Sequence, residues 1–305
     1  MIQFKYKAYL PSIDQYVTLQ ELQLQDYIGL VKLIANDDTE LIIQAFESLI
    51  LKSVGNDIYS QLTRIDKFFI LCTMRAVSIG PVVSLVFEDE ETNKQYTSKI
   101  ELIKTLQNID AKQFNYTQQL TVSKNMELVV SVPVSIGTVT DEDLLIDCVK
   151  KLTIKGVEYN LNDMPHDQKS HIVDLLPTSI VKNLSNYIEE TCEAFSGVNL
   201  FKRLNPHSKP PTIDEYAVNF YDNSILDFLI ICFRENLKNI YDMVYVLSKA
   251  LNFSGDTMYK STYSELTIYL DIYQKELEAQ EKAERDSARQ NSGPGAIGNP
   301  MQPFG

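Results

Sequence analysis

The sequence is poor in the residues that carry most enzyme and metal chemistry. Its 305 residues include three histidines, four cysteines and no tryptophan. No two cysteines form a C-x-x-C pair, so the paired ligands of a structural zinc site are missing. Each cysteine has apolar neighbours, which favours buried thiols in a reducing compartment over zinc ligands. These cysteines are Cys72, Cys148, Cys192 and Cys232.

Basic residues are also scarce. The chain has 28 Lys and Arg against 41 Asp and Glu, a formal net charge of −13. Clustered cations are needed to neutralise phosphate, so we expect neither nucleic acid nor an anionic membrane surface as a partner. The longest apolar run, Ile225–Phe233, is interrupted by Asp227 and is far shorter than the roughly 20 residues of a membrane span. Residues 1–7 lack the apolar stretch of a secretory signal, so we expect a protein that stays inside the cell.

One stretch matches a cofactor-binding motif by letter. Residues 293–298 read G-x-G-x-x-G. In dinucleotide-binding proteins this loop follows a strand and opens a helix whose N-terminus binds phosphate. Neither pattern flanks the match here, and Walker-type loops are absent from the sequence. We therefore predict no cofactor, no small-molecule ligand and no metal.

The histidines offer the one alternative with catalytic chemistry. His166 and His171 are five residues apart, so a helix does not place them on one face. Exposure on a surface helix is the simplest interpretation. A small-molecule enzyme or nucleotide-binding module in an unfamiliar fold stays open as the alternative, and it would require His166, His171 and Asp174 to converge in a pocket. We predict no catalytic residue.

The first part of the chain, residues 1–161, combines helical and strand patterns. Residues 2–10 alternate apolar and polar side chains and predict a strand that pairs with one near 16–19. Residues 64–79 are apolar all round, which predicts a helix buried within the core. Further helices are predicted at 25–35 and 39–53, and further strands at 82–87, 96–102, 118–134 and within 143–161. The order lacks a βαβ rhythm, so an α+β fold with antiparallel sheet is expected.

After about residue 162 the pattern predicts helices only, over a second part that ends near residue 290. Amphipathic stripes cover 167–176, 180–195, 224–234 and 236–251, with a loop at 203–212. Thr262 and Glu265 form a capping-box pattern, which opens a last helix. Residues 291–305 hold seven Gly or Pro and are expected to form a flexible tail.

Tyrosine is abundant, with 17 in the chain, and several tyrosines lie on the helical stripes of the second part. Such residues pack cores, and they are also enriched in protein interfaces. Both interpretations remain open from the sequence. As interface candidates we take the charged end of the last helix and four tyrosines: Tyr241, Tyr245, Tyr269 and Tyr273.

Two segments resemble a known family. Ile65–Gly80 is an apolar helix followed by Arg and then Ile-Gly, and Asn239–Ser254 with Tyr263–Glu276 forms a Tyr- and Glu-bearing helical ending. Both resemble the baseplate hub subunits and hub-assembly proteins of T-even-type contractile-tailed bacteriophages, over residues 1 to about 280. The resemblance implies a non-catalytic protein that contacts other baseplate and hub proteins. It also implies assembly in the host cytoplasm and a possible place in the virion tail.

Overall fold

The fold mixes helices and antiparallel sheets, as the sequence predicts. The computed structural model describes residues 5–89, 92–109, 117–138, 140–161, 164–182, 185–186, 197–220 and 222–291. The N-terminal part combines antiparallel sheets with helices, and helices dominate the C-terminal end. Among the described residues, no helix combines the length and apolarity needed to cross a membrane.

Ten strands are described, and every strand pair is antiparallel. They form three two-stranded hairpins, β1–β2, β3–β4 and β9–β10, and one four-stranded sheet in the order β5-β6-β7-β8. The strands are β1 (Lys5–Leu10), β2 (Gln15–Gln20), β3 (Val82–Glu88), β4 (Gln95–Glu101), β5 (Thr117–Ser123), β6 (Met126–Ser131), β7 (Val149–Ile154), β8 (Val157–Asn160), β9 (Gly197–Leu204) and β10 (Ile213–Asn219).

The helices named here confirm most of the predicted helical segments. They are α1 (Leu24–Asn36), α2 (Thr39–Val54), α3 (Asn56–Tyr59), α4 (Arg64–Ser78), α5 (Leu102–Asn108), α6 (Asp141–Cys148), α7 (His166–Asp174), α8 (Ser224–Phe233), α9 (Leu237–Leu251), α10 (Gly255–Lys260) and α11 (Tyr263–Asn291). The sequence predicts neither α5 nor α6, because its pattern indicates strands at 96–102 and within 143–161. Helix α6 opens with a capping box between Thr140 and Asp143, a local signal that overrides the alternation around it.

Helix α4 is the central element of the core, as its all-round apolarity predicts. Of its 15 residues, 13 are buried, including Arg64, Asp66 and Lys67. Thr63 and Asp66 close a capping box at its start, and Asp66 also accepts hydrogen bonds from the backbone and hydroxyl of Ser12. The cap therefore ties the first helical turn of α4 to the β1–β2 hairpin.

A segment without regular secondary structure, residues 132–138, passes the start of α4 and is held by side chains from several elements. Arg64 Nε donates to the carbonyl of Ser135, Glu47 accepts from the amide of Ile136, and Asp147 accepts from two further amides. Gly137 follows in the same segment, where an added Cβ would lie 2.7 Å from Cδ2 of Leu226. Side chains thus replace the strand partners that this segment lacks.

The β9–β10 hairpin corrects one detail of the sequence prediction, which placed helices only after residue 162. Its strands flank the predicted loop, and Phe201 stacks on Phe87 of β3 with ring centroids 4.9 Å apart. Asn205 donates to Asp89 at 3.0 Å, so the two hairpins meet at a second point. The strands form because residues from the distant β3–β4 hairpin cover their apolar side, which a local pattern cannot reveal.

A single hydrophobic cluster includes side chains from both parts of the chain, from Ala8 to Leu266. Cys72, Cys148 and Cys232 are buried in it, as predicted, and burial raises the pKa of the Cys72 thiol. Three predictions fall outside the described residues: most of the stripe at 180–195 with Cys192, the tail after Asn291, and the G-x-G-x-x-G match within that tail. The predicted boundaries at 161 and 290 remain predictions.

Candidate interaction surface

One cluster of interacting charged and polar side chains, Lys67 with Glu47 and Tyr59, lies in the interior and stabilises the fold. Lys67 is 2% exposed, and its ammonium lies 2.7 Å from Oε2 of Glu47 and 4.6 Å from the ring centre of Tyr59. The Tyr59 hydroxyl donates to the same carboxylate oxygen. Burial, followed by this carboxylate, raises the pKa of Tyr59 well above its usual value. Burial also lowers the pKa of Arg64, whose guanidinium donates hydrogen bonds to the backbone carbonyls of Ser135 and Asp222.

A polar cavity of about 340 Å³ lies beside residues 132–138, and two of the three carboxylates that line it, Asp143 and Asp147, accept hydrogen bonds from backbone amides. Oδ2 of Asp147 accepts from the amides of Val134 and Ser135, both at 2.8 Å. Asp143 serves the α6 capping box. Within the described ranges, no three His, Cys, Asp or Glu side chains converge on a metal position. Glu40 accepts from the Gln44 side-chain amide at 3.2 Å, and Lys169 also lines the cavity.

Two residues of the catalytic alternative, His171 and Asp174, can be located in the described part of the structure. His171 and Asp174 are exposed on α7, and neither lines the polar cavity. The side chain of His166 lies outside the described part of the structure. The two described candidates are thus exposed side chains on one short helix.

Two of the predicted interface tyrosines, Tyr241 and Tyr245, lie on the outer flank of α9. The buried face of this helix carries Ile240, Met243 and Leu247. Tyr241 is 39% exposed with Lys32 of α1 over its ring, and Tyr245 is 59% exposed with Lys249 over its ring. Both rings therefore present apolar area to solvent beside a lysine.

The other two tyrosines lie on α11 and contact their own chain. Tyr269 is 40% exposed, and its ring packs edge-on against Phe253 at 5.5 Å. Tyr273 is half-buried and continues the stripe of Leu266 and Leu270 along the side of α11 that packs on the core. The four tyrosines thus belong to two helices with different neighbours.

The second half of α11 extends beyond the core. The capping box predicted at its start is confirmed, since Glu265 accepts from the Thr262 amide and Thr262 Oγ1 accepts from the Glu265 amide. Every side chain from Gln274 to Ser287 is exposed. At 1.5 Å per residue, residues 274–291 reach about 27 Å. Ion pairs of the i,i+4 type support this end, including Glu281 and Arg285 at 3.1 Å.

Two exposed isoleucines on α11 were not among the predicted interface residues. Ile268 is 59% exposed and Ile272 is 49% exposed. They are one helical turn apart and lie on the side opposite Leu266, which is fully buried. An Ile-x-x-x-Ile pair out of phase with the main stripe is the sequence signal that could have identified them.

A second apolar surface lies on the four-stranded sheet. Cross-strand pairing places Met126, Ile154 and Val157 in one row, and Leu128, Leu152 and Tyr159 in the next, all on one face. The end of α7 covers this face in part and leaves a groove of about 250 Å³. The groove is lined by Met126, Leu152, Ile154, Tyr159, Ile172, Leu175, Leu176 and Pro177.

The described surface thus offers apolar helix and sheet faces. The model of one protein family, described as T4 bacteriophage base plate protein, matches residues 1–195. The chain belongs to this T4-type baseplate family. The matched range includes Ile65–Gly80 and the groove, whereas α9 and α11 lie outside it.

Membership in the baseplate family indicates a structural role in the tail of a bacteriophage, in contact with other baseplate proteins. It confirms the resemblance at the level of the baseplate. No curated protein and no solved structure shows significant similarity to the chain.

Proposed function

We propose that this baseplate protein acts at the hub of the baseplate, as a structural subunit or as an assembly factor for hub proteins. The match of residues 1–195 to the T4-type baseplate family carries the proposal. The segments Ile65–Gly80 and Asn239–Ser254 support the hub in particular, because they resemble hub proteins. The protein acts by contact and without catalysis, in the host cytoplasm while tails assemble.

The protruding end of α11 supports a role in assembly. A helix that extends about 27 Å from the core with every described side chain exposed gains little from folding. The helix is instead available to bind other proteins, since partner helices and grooves bind such elements through one face. The exposed rings of Tyr241 and Tyr245 add a second contact surface of the kind enriched in interfaces.

The test is a phage in which the gene is disrupted and supplied again from a plasmid. We expect the disrupted phage to lack complete baseplates in electron micrographs and to lose infectivity, and we expect the plasmid copy to restore both. Normal baseplates without the protein would contradict the proposal.

Mass spectrometry of purified particles separates the two roles at the hub. A structural subunit is present in mature virions, whereas an assembly factor is present only in the lysate. Co-expression with the other baseplate proteins of the same phage, followed by pull-down, then identifies the partner. Capture of hub proteins supports the hub, and capture of peripheral baseplate proteins alone contradicts it.

A further inference from the structure

The molecule carries a concave and a convex apolar surface whose chemistry matches. The concave one is the groove between the β6–β7–β8 face and the end of α7. The convex one is the isoleucine pair on α11, Ile268 and Ile272, which we call the outer pair. Both stay uncovered by other described residues, since Leu175 at the groove is 71% exposed and the outer pair is 59% and 49% exposed.

The groove suits side chains better than a free ligand. Its volume of about 250 Å³ is below the roughly 300–1,000 Å³ of ordinary small-molecule pockets. Its lining is aliphatic and aromatic, with no charged side chain. Two aliphatic side chains one helical turn apart, such as the outer pair, are the kind of group that such a groove receives.

The charges around the two surfaces are opposite in sign. Lys124 and Lys155 lie at adjacent turns at one end of the groove, where the amide of Lys155 donates to the carbonyl of Asn125. Glu127 and Glu158 alternate with groove residues and so face the other side of the sheet. A basic rim is notable in a chain of net charge −13.

The outer pair on α11 is flanked by carboxylates. Asp271 lies between the isoleucines in sequence and pairs with Lys275 at 2.6 Å, whereas Glu276, one turn after Ile272, adds a further negative charge. Both are exposed. Carboxylates beside the apolar pair would meet the lysine rim, which favours one orientation and speeds encounter.

We propose that the groove of one molecule binds the outer pair of α11 from a second copy of this chain. The two surfaces are different, so the contact is head-to-tail: each molecule offers one groove and one helix. Repetition of such a contact gives a ring if the rotation closes and a filament if it does not. This inference goes beyond the baseplate role and does not depend on it, because it concerns the purified chain alone.

Self-association of the full chain tests the proposal, measured by sedimentation velocity over a range of concentrations. The helix variant carries Ile268→Lys and Ile272→Lys, and the groove variant carries Leu175→Glu. We expect the wild-type protein to associate and each variant to lower the association constant by at least about tenfold. Val86→Lys is the matched control, since Val86 is 66% exposed on a different hairpin. It should associate like the wild type.

A mixing experiment separates head-to-tail contact from other geometries. The helix variant retains an intact groove, and the groove variant retains an intact outer pair. Mixed together, they should form a one-to-one complex and no larger species. Failure to form it, while both variants keep the wild-type circular dichroism spectrum, would overturn the proposal.

Other occupants of the groove give different results. A wild-type chain that stays monomeric at roughly 100 µM, where even weak contacts are measurable, overturns the second-copy proposal. If Leu175→Glu then abolishes capture of another baseplate protein, the groove belongs to that partner. If Leu175→Glu instead lowers the melting temperature by several degrees in a monomeric protein, the chain covers the groove itself, and the proposal fails.

Discussion

At the scale of single residues, the buried ion pair of Lys67 and Glu47 governs how three elements meet. It joins α4 to α2, and the second oxygen of Glu47 accepts from the amide of Ile136. A buried charge that has lost its partner lowers the free energy of unfolding, because water cannot reach the charge and take the partner's place. Glu47 is 17% exposed at its side chain against 2% for Lys67, so the lysine depends more on the pair.

Removal of the carboxylate should therefore cost more than removal of the ammonium. We expect Glu47→Ala to lower the free energy of unfolding by about 3–5 kcal/mol, because the Lys67 charge stays buried. Lys67→Met should cost less, since Glu47 keeps the donors of Tyr59 and Ile136. Urea denaturation measures each cost.

An exposed pair provides the control for the buried one. Lys52 lies 2.5 Å from Asp26, and its side chain is 55% exposed. We expect Lys52→Met to cost less than about 1 kcal/mol, as for other surface pairs. The double variant Glu47→Ala with Lys67→Met should lose less stability than the sum of the losses measured for the two single variants. Simple additivity would show that the pair does not act as a unit.

At the scale of elements, Asp89 links two hairpins that are distant in sequence. It follows β3 and accepts from the amide and hydroxyl of Thr92 and from the side chain of Asn205 in the β9–β10 loop. The hydroxyl of Thr92, then its amide, lower the pKa of Asp89, with a further contribution from Asn205. A depressed carboxyl pKa means that the folded state favours the charged form.

The pH dependence of stability follows from this direction of the shift. The contribution of Asp89 is complete above the ordinary Asp pKa of about 3.9 and is lost as the pH falls through the lower folded-state value. We expect Asp89→Asn to melt at a lower temperature than the wild type at pH 7. The difference in melting temperature between Asp89→Asn and the wild type should become smaller as the pH falls below about 4.

Glu88→Gln is the matched control for Asp89→Asn, since Glu88 is the exposed neighbour. It should leave the melting temperature unchanged at both pH values. A gap for Asp89→Asn that is constant from pH 7 to the acid range would show that charge is not what holds the hairpins together.

The helical elements show which structural features local sequence patterns can predict. The boundaries of α1, α2, α4 and α8 follow their apolar periodicity, and the capping box of Thr262 and Glu265 forms as predicted. Strand pairing was less predictable, because a strand depends on what covers its face. The β9–β10 hairpin was missed for that reason, and α6 was taken for part of a strand region.

At the scale of the whole molecule, we expect the end of α11 to contribute to the binding of other baseplate proteins and to contribute little to the stability of the fold. Truncation after Glu278 removes side chains that are exposed wherever they are described. We therefore expect the melting temperature to stay within error of the wild type, and the shorter truncation after Arg289 to do the same. Co-purification with baseplate proteins should weaken in the longer truncation.

Truncation also separates the two proposed contacts of α11. The outer pair remains in the chain that ends at Glu278, so self-association should persist while capture of baseplate proteins falls. A melting temperature several degrees lower would show that the removed residues pack against the core. Unchanged capture of every partner would remove the charged end from the candidate interface.

The candidate surface was only partly visible in the sequence. The tyrosines on α9 and α11 could be named because helical stripes are local, but the stripe does not say which side a neighbour covers. The outer pair of α11 is out of phase with the stripe in the sequence, but only the structure shows that Leu266 faces the core and that the pair is exposed. The groove combines three strands and the end of α7, and its existence depends on cross-strand register.

The sequence by itself determined the α+β class, the burial of α4, the burial of Cys72, Cys148 and Cys232, and the cap of α11, since each follows from local spacing and capping chemistry. The resemblance of Ile65–Gly80 to baseplate proteins also came from the sequence. Tertiary structure alone decided the Asp89–Asn205 contact, the support of residues 132–138 and the groove beside Leu175. These join residues far apart in the chain, and periodicity shows which residues share a face without showing what that face meets.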